Sequence, residues 1–147
     1  MTLVEKIVLG VAFTAVILSL FSIIKAKHAA PSESQKKHLK RLKKTLDRRM
    51  YTEIDLLEQY GVKLGFDVKV RGRYLYVDYY LSNLMEHELV PPECELVLQF
   101  YDASDKAVCH LSESLTYTEL RLPYYKSFFK LDASDIENAE YACIIAE

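Results

Sequence analysis

The chain reads as mainly β with a helical N-terminus: one transmembrane helix, one basic amphipathic helix and a small antiparallel β-sandwich. Three observations lead there. Residues 7–24 hold no charged side chain. Apolar residues then recur every three or four positions as far as Leu57, the spacing of one helix face. Beyond Gly65 the pattern alternates in twos, as a half-buried strand does. These shifts divide the chain into an anchor over 1–28, a basic helix and linker over 29–61, and a β domain over 62–147. A length of 147 residues leaves room for one small folded domain beyond the anchor.

The first element follows from length and composition. At about 1.5 Å per residue, the run from Ile7 to Ile24 reaches about 27 Å, close to the hydrocarbon thickness of a bilayer. A cleavable signal peptide fits less well, because its apolar core is usually about 7 to 15 residues long. Lys27 and His28 also stand where a small residue is needed before Ala29 and Ala30. Gly10, Ala12, Ala15, Ser19 and Ser22 are small enough to admit a neighbouring helix, although small residues are ordinary in spanning helices.

Charge sets the expected orientation. Positions 25–50 carry ten basic and two acidic residues, a net of +8. Positions 51–147 carry eight basic and eighteen acidic residues, a net of -10. Lysine and arginine beside a spanning helix stay on the cytoplasmic side, which predicts a cell (inner) membrane protein, single-pass, with its C-terminal domain in the cytoplasm. Cys94, Cys109 and Cys143 are odd in number and widely spaced, a poor disulfide framework for an exported domain.

Pro31 interrupts the first helix. The second starts at Ser32, whose side chain caps the first turn while Gln35 reaches back. It is expected to run to Tyr60, with Gly61 taking the left-handed stop. Leu39, Leu42, Leu46, Met50, Ile54 and Leu57 form an apolar stripe along it. That stripe must cover the β domain, a second copy of the chain in a coiled coil, or a partner helix. On the last two readings, Leu39, Leu42, Leu46 and Met50 bind a partner. Lys36, Lys37, Lys40, Arg41, Lys43, Lys44, Arg48 and Arg49 surround the stripe. They face anionic lipid at about 1 kcal/mol per residue near a membrane surface, or serve only to fix topology. Nucleic acid is disfavoured, because no aromatic residue interleaves Lys36–Arg49 to stack on bases.

The β domain opens with a hairpin. Phe66, Val68 and Val70 face one way, Gly72 turns the chain, and Leu75, Val77, Tyr79 and Leu81 continue the inner face. Further strands are expected at Glu95–Tyr101, Ala107–Ser112, Thr116–Leu122, Ser127–Leu131 and Tyr141–Ala146, with a helical turn begun by Ser134 and Glu137. Six or seven short strands at this spacing describe a sandwich. The inward set leaves Tyr74, Tyr76 and Tyr80 outside, among eleven tyrosines and no tryptophan. Flat amphipathic rings of this kind suit a protein interface, although outward tyrosines are also common on strands. Tyr124 and Tyr125 either extend that face or plug the core.

The segments Leu98-Gln99-Phe100-Tyr101-Asp102, Tyr125–Leu131 and Ala133–Tyr141 resemble the small immunoglobulin-like domains of the FxLYD type. The resemblance covers about residues 74–146 and implies an Ig-like, exported, non-catalytic domain. Residues 85–93 stand where that family has a brief loop. Exportation conflicts with the flanking charge, and the charge is the stronger guide to orientation.

No phosphate loop, dinucleotide fingerprint, nucleophile elbow or His-Glu-x-x-His motif occurs. Cys109 and His110 are adjacent, with His87 and Cys94 upstream, but neighbours on a strand point to opposite faces. Glu86 and Glu88 flank His87 in a polar loop. The expectation is therefore a non-enzyme without metal or cofactor. It is a membrane-anchored interaction or assembly subunit that presents a tyrosine-rich face to a protein partner or to a second copy. The alternative is an electrostatic module that binds anionic lipid through the basic helix.

Overall fold

A computed structural model describes residues 2–27, 30–83 and 93–147. The chain forms two compact units, residues 1–31 and 32–147. The first is helix α1, Leu3–Lys27. Its stretch Val4–Ile23 is 20 residues long, apolar and unburied, sufficient in length and composition to cross a membrane.

The second unit is mainly β. Helix α2 spans Glu33–Arg49, and both halves of the Ser32/Gln35 capping box form. It then stops, correcting the expectation of a helix to Tyr60. Met50–Glu53 becomes strand β1, and only Asp55–Glu58 returns to helix as the single turn α3. Tyr51 and Thr52 are weak helix formers, and their backbone pairs in parallel with strand β7, Tyr141–Ala146. Gly61 does take a positive φ of 74°, but it ends α3 rather than α2.

Strands β2, Val62–Arg71, and β3, Tyr74–Asn83, form the predicted hairpin around Gly72, whose φ is 60°. β3 also pairs with β6, Tyr124–Asp132, giving a three-stranded sheet β2-β3-β6. β4, Glu93–Tyr101, pairs with β5, Ala107–Thr116, and with β7, giving a four-stranded sheet β1-β7-β4-β5. The β1–β7 pair is parallel while the other pairs are antiparallel, so the domain is not wholly antiparallel.

Two further expectations are corrected. Thr116–Leu122 is not a strand: β5 runs on to Thr116, and Tyr117–Leu120 is the helical turn α4, begun by a Thr116/Glu119 capping box. After β6 the chain makes hydrogen-bonded turns rather than a Ser134-capped helix. Ser134 instead donates to Asp132 from both its amide, at 3.1 Å, and its hydroxyl, at 3.0 Å.

Residues of both sheets share one hydrophobic core. Tyr79 and Leu81 of β3, Leu96, Leu98 and Phe100 of β4, and Ile144 of β7 are buried together with Leu39, Leu42 and Leu46 of α2. The apolar stripe of α2 therefore covers the β domain, the first of the three candidates. Leu39, Leu42 and Leu46 are 0–2% exposed, so they are core residues and are not open to a partner. Met50 is half-buried against the same core.

Candidate interaction surface

Strand alternation decides which side chains leave the core. On β3, Leu75, Val77, Tyr79 and Leu81 point in, while Tyr74, Tyr76, Asp78 and Tyr80 point out. On β6, Phe129 and Leu131 are buried, so Tyr124, Lys126, Phe128 and Lys130 stand on the outer face. Register then brings these residues together. Tyr76 lies opposite Lys130, Asp78 opposite Phe128, Tyr80 opposite Lys126, and Ser82 opposite Tyr124.

The result is an aromatic surface on the sheet β2-β3-β6. Tyr80 and Tyr124 stack with ring centroids 6.0 Å apart, and Tyr76 meets Phe128 at 5.8 Å. Tyr124, Phe128 and Tyr80 are 56%, 55% and 40% exposed. Three of the chain's largest rings thus remain in water on one flat face. The Tyr80 ring also lies over Gly65, its cross-strand partner, in the space a Cβ would take. Glycine at this position permits that placement.

Cations frame the rings. The Lys130 ammonium sits 4.0 Å from the Tyr74 centroid, and the Arg71 guanidinium 5.7 Å from that of Tyr76. Such contacts contribute about 0.5–1 kcal/mol at exposed sites, and they orient the rings. Lys69 bridges Asp78 at 2.7 Å and Asp67 at 3.3 Å. Its hydrogen bonds to Asp78 and then Asp67 hold its amine above the ordinary lysine range. Arg73 pairs with Asp132 at 2.7 Å.

Tyr124 and Tyr125 divide the two roles considered for them. Tyr124 extends the outer face, whereas Tyr125 turns inward and donates to Glu113 Oε1 at 2.9 Å. Tyr79 donates to the other oxygen of the same carboxylate at 2.5 Å. Burial, with the Glu113 bond adding to it, pushes both hydroxyls above the ordinary tyrosine range.

The basic residues of α2 fall into two sets. Lys36 pairs with Glu33 at 2.7 Å, Lys43 with Asp47 at 3.0 Å, and Arg41 with Glu140 at 3.4 Å. Arg49 stacks over Tyr141 at 5.3 Å. Lys37, Lys40, Lys44 and Arg48 are exposed, and helical spacing puts them on the side away from Leu39, Leu42 and Leu46.

Cys94, Cys109 and Cys143 are free thiols. Burial raises each, Cys143 up to about 11, which disfavours the thiolate needed for reactivity or metal binding. Among the described residues no group of three or more His, Cys, Asp or Glu side chains converges to hold a metal ion. His87, Glu86 and Glu88 lie outside the described residues.

Sequence reasoning singled out Tyr74, Tyr76 and Tyr80, left Tyr124 between extending that face and plugging the core, and missed Phe128 and the flanking cations as part of the same surface. The missing signal was available: once Phe129 and Leu131 are read as inward, Phe128 must be outward. No family model matches the chain, and no match is found among curated proteins or solved structures.

Proposed function

We propose that this chain is a single-pass membrane protein whose Ser32–Glu147 unit is an immunoglobulin-like sandwich acting as a non-catalytic interaction or assembly subunit. α1 anchors it in the cell membrane with the β domain in the cytoplasm. The outer face of β2-β3-β6 contacts a protein partner. The immunoglobulin-like reading draws on three strands and four strands packed around one core, and on the FxLYD-like segments. The orientation draws on the +8 charge of residues 25–50.

One observation supports binding most strongly: Tyr80 and Tyr124, stacked on each other, and Phe128, packed on Tyr76, are all exposed on one outer sheet face. Exposed rings cost hydration free energy that a partner's apolar surface would recover, and aromatic residues are enriched at interface centres. Replacing all three by threonine retains strand propensity. The variant should keep the wild-type thermal midpoint within a few degrees and lose proteins that co-purify from native membranes in mild detergent. An unchanged set of co-purifying proteins would count against the proposal.

A second reading concerns lipid. Lys37, Lys40, Lys44 and Arg48 share the outer side of α2, with no carboxylate in ion-pair distance among the described residues. We propose that this stripe lies against anionic headgroups. Residues 32–147 should then bind anionic vesicles with an affinity that falls steeply with salt, and indifference to vesicles removes this role.

A further inference from the structure

We infer that the partner of the aromatic face is a second copy of this chain, docking through the opposite outer face of the β domain in a head-to-tail manner. The inference rests on the proposed binding role of that face. It comes from the distribution of charge. Beyond position 50 the chain has eight basic residues, and five of them, Lys63, Lys69, Arg71, Lys126 and Lys130, stand on the outer side of β2-β3-β6. Asp67 and Asp78 are the acids among them, apart from Asp132, which is paired with Arg73. This face is cationic in a domain segment whose net charge is -10.

The other sheet has the reverse character. Its inward positions are Leu96, Leu98 and Phe100 on β4, so Glu93 and Glu95 point out. Glu53 on β1, in register with Ile145, and Glu147, whose backbone pairs with that of Glu95, complete the set. Arg49 lies at the Tyr141 end of this face, its guanidinium 5.3 Å from that ring's centroid. Aromatic surface is present here as well. Tyr141 stacks on Tyr101 at 4.9 Å and meets the exposed Tyr51 edge-on at 5.8 Å. One outer face thus offers rings framed by ammonium and guanidinium groups, and the other offers carboxylates toward the Glu95–Glu147 end of its strands and rings at the Tyr101–Tyr141 end. Opposed potentials of this kind fix partner choice and register.

Geometry selects the mode of association. Complementary patches on different faces of one molecule make a heterologous contact, which propagates into rings or chains instead of closing as a two-fold dimer. Three strands of nine or ten residues offer a face of about 30 Å by about 14 Å. That is below the ~800 Å² per partner of a standard interface. The contact is accordingly weak between free molecules and becomes populated when chains are concentrated on a surface.

The test uses the full chain reconstituted at high density in neutral lipid vesicles, with a zero-length carbodiimide that joins lysine to carboxylate. Wild type should give a ladder of covalent dimers and higher species. K126E/K130E leaves both faces acidic, and E93K/E95K leaves both basic, so each alone should lose at least tenfold of the ladder. Mixed in equal amounts, the two should recover it. Thermal midpoints within a few degrees of wild type certify that both variants fold. A ladder insensitive to either reversal, or no recovery on mixing, overturns the inference. If wild type gives no ladder but its aromatic face still captures a different protein, self-association is wrong and the binding role stands. If the face captures nothing, both fall. Binding of a single-stranded oligonucleotide that K126E/K130E abolishes, without a ladder, would also overturn it in favour of nucleic acid.

Discussion

Tyr79 shows how one side chain ties the two sheets together. Its ring is buried against Phe129 at a centroid distance of 5.3 Å, and its hydroxyl crosses from β3 to Glu113 on β5. Glu113 also accepts from Tyr125 on β6, so one carboxylate serves two phenols. Tyr79 and Tyr125 are both raised above their ordinary value, and the folded state therefore holds their protons more tightly than the unfolded chain does. The stability this contributes is fully present below about pH 10, the unfolded tyrosine value, and is lost as pH rises further. Tyr141 joins the trend, pushed up to about 12 chiefly by its bond to Asp105 and also by burial. The thermal midpoint should fall as pH rises from about 10 to about 12, more shallowly in Tyr79→Phe, and equal slopes would contradict this. At Gly65, a valine would claim the space under the Tyr80 ring. Gly65→Val should expel that ring and abolish the Tyr80–Tyr124 contact seen by ring-to-ring NOE, and a retained contact would refute the placement.

Among the elements, α2 is the one whose role changes most between sequence and structure. As a linker helix lying apart from the β domain it would tolerate loss of an apolar side chain. As a wall of the core it would not. Leu42 is 2% exposed, and Leu42→Ala should lower the unfolding free energy of the domain by about 2–5 kcal/mol, measured by urea denaturation. A change within error would return α2 to the status of an independent linker helix. The hairpin of β2 and β3 was legible because Val68, Val70, Leu75, Val77, Tyr79 and Leu81 alternate strictly around Gly72. The start of α2 was legible because Ser32 and Gln35 carry the whole capping signal locally. β1 was not legible. Met50, Ile54 and Leu57 continue a helical spacing, and what overrides it is pairing with β7 far along the chain, which no local pattern contains. α4 was missed for a simpler reason: the Thr116/Glu119 capping signature was hidden within residues of good strand propensity. The aromatic face was half legible, because its rings come from two strands, β3 and β6, and the sequence assigned only those of β3 to it while leaving Tyr124 between two roles.

At the scale of the molecule, the proposed tether and the proposed binding face belong to different units. The apolar stretch Val4–Ile23 is unburied, while residues 32–147 enclose their own core. Residues 32–147 expressed alone should remain in the aqueous fraction and unfold at the same temperature as the domain of the full chain, and the full chain should stay with membranes through alkaline extraction. A fragment that aggregates, or a full chain released by alkali, would contradict this division. Binding itself is tested most directly by a photo-reactive amino acid placed at Phe128 in the full chain within its native membrane, with the same group at Thr118 as control. Illumination should yield discrete protein adducts from position 128 and not from 118. Adducts absent from both positions, or equal at both, would contradict a binding role for the face of β2-β3-β6.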